Sequence, residues 1–243
     1  MFKAFPWDKA VFTKKIMKAV CNYWNVRQKQ ACKQAKDGKK DAGTRGEVTG
    51  GKHLDSFGKL IVEVILAAGA GKNDVFFTVP LPLPGYYRPQ KMWDIVVARN
   101  DHLIAAIELK SQSGSFGNNF NNRTEEVIGL SRDFWIAYRE KAFGVQPAPW
   151  LGYLFFLEDS PKSSSPVRLA RSKFPPLTIF NKTSYQSRYR ILCERLVLER
   201  DYTSTALLVA SKTRTVSEPA PELTLWHFCR SLFNHIQNAL NND

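Results

Sequence analysis

The sequence predicts an α/β fold: a mixed central sheet of four or five strands flanked by helices, with further helices added at both ends. Three observations carry this reading. Apolar runs of strand length stand at 95–98, 103–107, 150–157 and 205–210. Between and around them, residues 8–36, 55–68, 123–142, 184–202 and 223–240 repeat their apolar side chains at helical spacing. The chain has 243 residues, 44% of them hydrophobic and 12% aromatic, which excludes a disordered chain and suffices for a substantial core.

In chain order, the first helix presents Val11, Phe12, Lys15, Ile16, Ala19, Val20, Tyr23 and Trp24 on one stripe and a basic face opposite. Residues 37–52 are glycine-rich, charged and aperiodic, so they read as a loop, either a plain linker or a basic segment that follows a phosphate backbone through Lys39 and Lys40. Residues 14–52 hold eleven Lys or Arg against three acids, most of the chain's net charge of +13. That balance points to a polyanionic partner, nucleic acid or an anionic membrane surface. No stretch reaches the roughly 18 apolar residues of a membrane span, and the start lacks the apolar core of a secretory signal. Four scattered cysteines and the lack of a CxxC or HExxH pattern argue against structural zinc and disulfides, so a reducing cytoplasm is expected.

The next helix is predicted to open with Asp55 as N-cap and to bury Phe57, Leu60, Ile61, Val64, Ile65 and Ala68. Glu63 lies off that stripe beside Lys59, as a solvated pair or as an extra acid of a site. A strand is expected at 75–79, followed by a proline-rich connection that cannot enter a central strand and that carries Tyr86, Tyr87 and Arg88.

The chemistry concentrates at 92–111, where two apolar runs flank the polar turn 99–102 and form a hairpin. Asp94 enters its first strand. Alternation along the second strand turns Glu108 and Lys110 to one face and Leu109 into the core. Two carboxylates and an ammonium then converge, and an acidic pair suits Mg²⁺, a hard ion held by one or two carboxylates, waters and substrate phosphate. Beyond Lys110, Asn122 and Glu125 have capping-box character at the start of the helix 123–142. Asn118, Asn119, Asn121, Asn122 and Arg123 supply donors for phosphates and base edges, with Arg88 in reserve.

The arrangement Asp94…Glu108-x-Lys110 resembles the PD-(D/E)XK nuclease signature, in which an additional helical acid such as Glu63 recurs. More specifically, LPGYYRPQKMWD followed by AAIELKSQSGSFGNNFNNRTEEVIG resembles the XhoI family of type II restriction endonucleases. Trp93 stands where the signature has proline. The resemblance, strongest from about Gly50 to Asp159, implies a restriction-endonuclease-like core, read here over 53–243, to which the charge distribution adds a basic arm over 1–52 that lies outside the resembling stretch. It also implies a homodimer that cuts both strands of the palindrome CTCGAG with Mg²⁺ held by Asp94, Glu108 and the Leu109 carbonyl, alongside a DNA methyltransferase protecting the same site. Two alternatives stay open: a structure-specific repair or recombination nuclease, and a basic DNA-binding protein without catalysis.

Overall fold

The computed structural model describes residues 2–36 and 52–241. Lys39 and Lys40 lie outside the described residues. The elements in chain order are α1 (Lys9–Lys36), α2 (Asp55–Ala68), β1 (Val75–Phe76), β2 (Pro82–Pro84), β3 (Gln90–Met92), β4 (Ile95–Arg99), β5 (His102–Gln112), α3 (Phe116–Arg139), β6 (Trp150–Glu158), a single turn α4 (Pro161–Ser164), α5 (Tyr185–Leu198), β7 (Ser204–Ala210), β8 (Val216–Ser217) and α6 (Leu225–Asn241).

Six strands in the order β1-β4-β5-β6-β7-β8 make the sheet, more than the four or five expected, because two-residue edge strands at each side extend it. β4 and β5 are antiparallel, joined by a two-residue turn in which Asn100 and Asp101 both take positive φ, 49° and 62°, the geometry that matches strand twist in tight hairpins. β5, β6 and β7 run parallel. Their crossovers, α3 and α5, lie on one face, as the fixed hand of such connections requires when successive strands step the same way. There Val96, Ala106, Phe155 and Leu207 meet Val127, Leu130 and Phe134 of α3 and Tyr189 and Leu196 of α5. The other face buries Ile95, Ile107, Leu109 and Phe156 beneath α1, α2 and α6. Strands buried on both sides explain why β6 reads as one unbroken apolar run. The α1 stripe belongs to this second core, Tyr23 lying 4.0 Å from Phe156 between ring centroids, whereas Val11 is exposed.

Several boundaries differ from the sequence expectation. Asp55 is the first residue of α2 rather than its cap; Leu54 takes that position without a side-chain hydrogen bond. The strand expected over 75–79 stops at Phe76. The proline-rich connection forms its own small hairpin, β2 paired with β3, outside the main sheet. α3 begins at Phe116, seven residues before the expected start. The left-handed pair Gly114 and Ser115, φ 75° and 47°, turns the chain sharply out of β5 and lets Phe116 bury against Tyr185. Burial of that ring outweighs the capping potential of Asn122, which sits within the helix.

Candidate active site

A cleft of about 1110 Å³ opens where β4 begins and β5 ends, and its wall includes Asp94, Lys110, Asn119, Asn122, Arg123 and Glu126. The pleat places Asp94, Glu108 and Lys110 on the α3 side of the hairpin, as alternation predicts, while Leu109 packs into the opposite core. Trp93 buries its indole against Phe134 of α3, ring centroids 5.4 Å apart, and so fixes the chain just before Asp94.

Asp94 Oδ2 accepts the Leu109 N–H at 2.7 Å, which ties the first strand's entrance to the end of the second. Although its side chain opens to the cleft, the surrounding walls and the nearby Glu108 raise its pKa to about 6. Glu108 is 3% exposed and accepts from two ammonium groups. Lys91 Nζ lies 2.9 Å from Oε2, and Lys110 donates to Oε1 in a short contact. Burial works to lower the pKa of Lys110, but Glu108, Asp94 and Glu126 outweigh it and leave the ammonium above the ordinary lysine range. Lys110 is therefore a fixed cation, suited to holding a water or an anionic oxygen and unsuited to taking a proton.

Each Glu108 oxygen accepts one of these bonds and keeps a further lone pair, and Asp94 Oδ1 accepts no hydrogen bond from the described residues. Two carboxylates side by side, one of them raised in pKa by burial and further by the other, are an oxygen donor set that fits a hard divalent cation. No group of three or more His, Cys, Asp or Glu among the described residues could hold a metal unaided. The arrangement thus suits an ion whose remaining positions are filled by water and substrate oxygen, as Mg²⁺ prefers.

Lys91 escaped the sequence reading because its place depends on a hairpin no local pattern announced. It is 13% exposed, donates also to the Met92 carbonyl at 3.0 Å, and covers the Trp93 ring at 4.6 Å. The hairpin that brings it in is clamped by Asp133 of α3, itself 3% exposed. Asp133 Oδ1 accepts the N–H groups of Tyr86 and Tyr87 at 2.8 and 2.7 Å, and Oδ2 takes the Arg88 guanidinium at 2.9 Å. Gly85 is needed at this closure, since a Cβ there would stand 2.7 Å from Asp133 Oδ2. Arg88 is thus committed to the clamp and does not line the cleft, while the Tyr86 and Tyr87 rings remain exposed.

The helical form of 116–123 sorts the asparagine cluster. Asn119, Asn122, Arg123 and Glu126, spaced by three, four and seven, share the stripe that faces the cleft, whereas Asn118 and Asn121 are exposed away from it. Arg123 donates to Glu126 in a short contact, and Glu126 Oε1 lies 3.5 Å from Lys110. Glu126, on the helix after the hairpin, is therefore the helical acid nearest the centre. Glu63 is elsewhere: its half-exposed carboxylate pairs with Lys15 of α1 at 2.7 Å, not with Lys59, and it is absent from the cleft wall. His53 also lines the cleft, with Nε2 3.0 Å from Ser111 Oγ; burial, helped by Arg27, lowers its pKa to about 4 and keeps the ring neutral. No helix among the described residues is long and apolar enough to cross a membrane.

The family model described as restriction endonuclease XhoI matches residues 33–219. The type II restriction enzyme BstVI of Geobacillus stearothermophilus is 45% identical over 207 residues, covering 81% of this chain and 92% of that one. AbrI of Azospirillum brasilense is 45% identical over 159 residues, covering 65% and 71%. XhoI of Xanthomonas vasicola is 38% identical over 195 residues, covering 79% and 78%. No solved structure gives a significant match. The matched span contains the β4–β5 hairpin, the clamp and the cleft-facing stripe of α3, and the chain belongs to the XhoI family of type II restriction endonucleases.

Proposed function

We propose that the chain is a Mg²⁺-dependent endonuclease that cuts both strands of duplex DNA at CTCGAG and leaves 5′-phosphate and 3′-hydroxyl ends. The observation that carries this is the meeting of Asp94, Glu108 and Lys110 on one hairpin face, across a cleft from Asn119, Asn122 and Arg123. Asp94, Glu108 and the Leu109 carbonyl hold the ion. When bound, it polarises the scissile phosphate and acidifies a water. Leu109 N–H fixes the Asp94 carboxylate, Lys91 holds Glu108 from the far side, and the Lys110 ammonium orients the attacking water in line with the leaving oxygen. A palindrome calls for two-fold symmetry, so a homodimer would give each subunit one half-site with two G·C pairs and one A·T pair. Arginine reads guanine and asparagine reads adenine through paired hydrogen bonds, and the cleft-facing stripe carries both types. In a bacterial cytoplasm such an activity requires a DNA methyltransferase protecting the same sequence.

Digestion of a sequenced plasmid with Mg²⁺, followed by mapping of the ends, tests this reading. Cuts confined to CTCGAG with 5′-phosphates are expected, and Asp94→Ala and Glu108→Ala should abolish them while the fold is kept. Ca²⁺ should support binding without cutting. Cleavage at junctions or arbitrary sites would favour a repair or recombination nuclease, and metal-independent binding without breaks a non-catalytic DNA-binding protein.

A further inference from the structure

Between α4 and α5 the chain leaves the body and returns. The Val167 N–H donates to the Thr183 carbonyl at 2.8 Å and closes a neck, so 168–182 form a protruding loop. Its root is pinned. Arg188 Nε donates to Thr183 Oγ1 at 3.2 Å, Thr183 Oγ1 donates to the Phe180 carbonyl at 2.8 Å, and the Arg195 guanidinium covers the Phe180 ring at 5.3 Å. The outer part, 170–179, touches little: every residue is exposed, with Phe174 at 85% and Leu177 at 62%. The loop carries Arg168, Arg171, Lys173 and Lys182 and no acid, and none of these cations forms an ion pair with the described residues.

Exposed apolar side chains at the tip of an acid-free basic loop identify the chemistry of its partner. A second copy of this chain fits poorly, since a two-fold contact through the loop would set its four cations against themselves in a protein already at +13. A duplex fits well: cations take phosphates, and Phe, Leu, Ile and Pro are the side chains that wedge into minor-groove base steps. Pro175 and Pro176 stiffen the tip and reduce the ordering cost of insertion. The position agrees. Tyr185, two residues past the neck, stacks on Phe116 at the start of α3 with ring centroids 6.0 Å apart, so the root of the loop stands beside the helix end whose Asn119, Asn122 and Arg123 face the cleft.

We propose that the loop 168–182 is a second DNA-gripping element, its cations on the backbone flanking the cleft and Phe174 with Leu177 entering the minor groove. This rests on the reading of the cleft as a duplex-cutting site. Two variants of the full chain separate the parts, Arg171→Ala with Lys173→Ala, and Phe174→Ser with Leu177→Ser. Binding to cognate and random duplexes in Ca²⁺ is measured by fluorescence anisotropy against salt, DNA bending by energy transfer between labelled ends, and oligomeric state by sedimentation. The charge variant should weaken both duplexes alike, about tenfold, and reduce the salt slope by about two. The tip variant should lower the bend and keep the sedimentation coefficient. Wild-type binding and bending by both variants would overturn the loop's role while leaving the cleft reading intact, because the unaltered chain still binds and cuts in the same assays. Dissociation of either variant into a smaller species would assign the loop to a second copy and overturn the proposal. Failure of the unaltered chain to bind duplex would overturn both readings.

Discussion

Lys91 Nζ stands 2.9 Å from Glu108 Oε2, opposite the ammonium of Lys110 on the other oxygen, so a nearly buried carboxylate is held from both sides by cations from different hairpins. Outer partners that orient a metal-binding carboxylate are typically worth about 10–100-fold in activity. Lys91→Met is therefore expected to lower kcat by about that factor with circular dichroism unchanged, and Lys91→Arg to restore most of it. Full activity in Lys91→Met would show that Lys110 alone holds Glu108.

Asp94 supplies a pH signature. Its folded pKa is raised to about 6 from 3.8, so the folded state holds this proton more tightly than the unfolded one. The resulting stabilisation is complete below about pH 4 and is lost as pH rises through 6. Asp94→Asn, which cannot ionise, should melt above the metal-free wild type at pH 8, with the two converging between pH 6 and 4. At sub-saturating Mg²⁺ the cutting rate should rise as pH passes 6, because the proton on Asp94 competes with the ion, and it should not fall up to about pH 9, since Lys110 remains charged throughout. An alkaline fall near pH 8 would contradict a lysine held as a cation.

The stripe on α3 predicts split phenotypes. Asn119→Ala or Arg123→Ala should lose about 1–3 kcal/mol of discrimination at one base pair, measured as the ratio of cognate to single-substitution sites. Lys39→Ala with Lys40→Ala should weaken binding to every duplex and flatten its salt dependence. Equal loss on cognate and random DNA in the Asn119 and Arg123 variants would make them phosphate contacts.

Removing the clamp should reach the centre from a distance. Asp133→Ala leaves the Tyr86 and Tyr87 N–H groups and the Arg88 guanidinium without their acceptor. An expected loss of about 1–3 kcal/mol in denaturant unfolding follows from leaving the two N–H groups without their charged acceptor, the half-exposed Arg88 being rescued by water. Because β3 carries Lys91, activity should fall along with stability. A variant of wild-type stability would show that the hairpin is held by Leu83 and Trp93 packing alone.

The β4–β5 hairpin was legible because its signals are local: period-two alternation set Asp94, Glu108 and Lys110 on one face, and a polar pair at positive φ closed the turn. The start of α3 was not, since Asn122 and Glu125 form a plausible cap in one dimension while the burial of Phe116 against Tyr185 exists only in three. Lys91 and Asp133 were hidden for the same reason, their partners being 17 and 46–47 residues away. Glu63 was drawn toward the centre by analogy, and a lysine 48 residues upstream holds it elsewhere.

The two-sided character of α3 constrains how this enzyme can change. Val127, Leu130 and Phe134 fix the rotation of the helix against the sheet, and each residue added or removed between 123 and 127 would swing the stripe above it by about 100°. Substitution at Asn119 or Asn122 leaves the hairpin untouched, whereas a one-residue insertion below them would aim every donor away from the cleft. Under the proposed base-reading role, identity at these positions is free to drift toward another target sequence; the count of residues between them and the core is not.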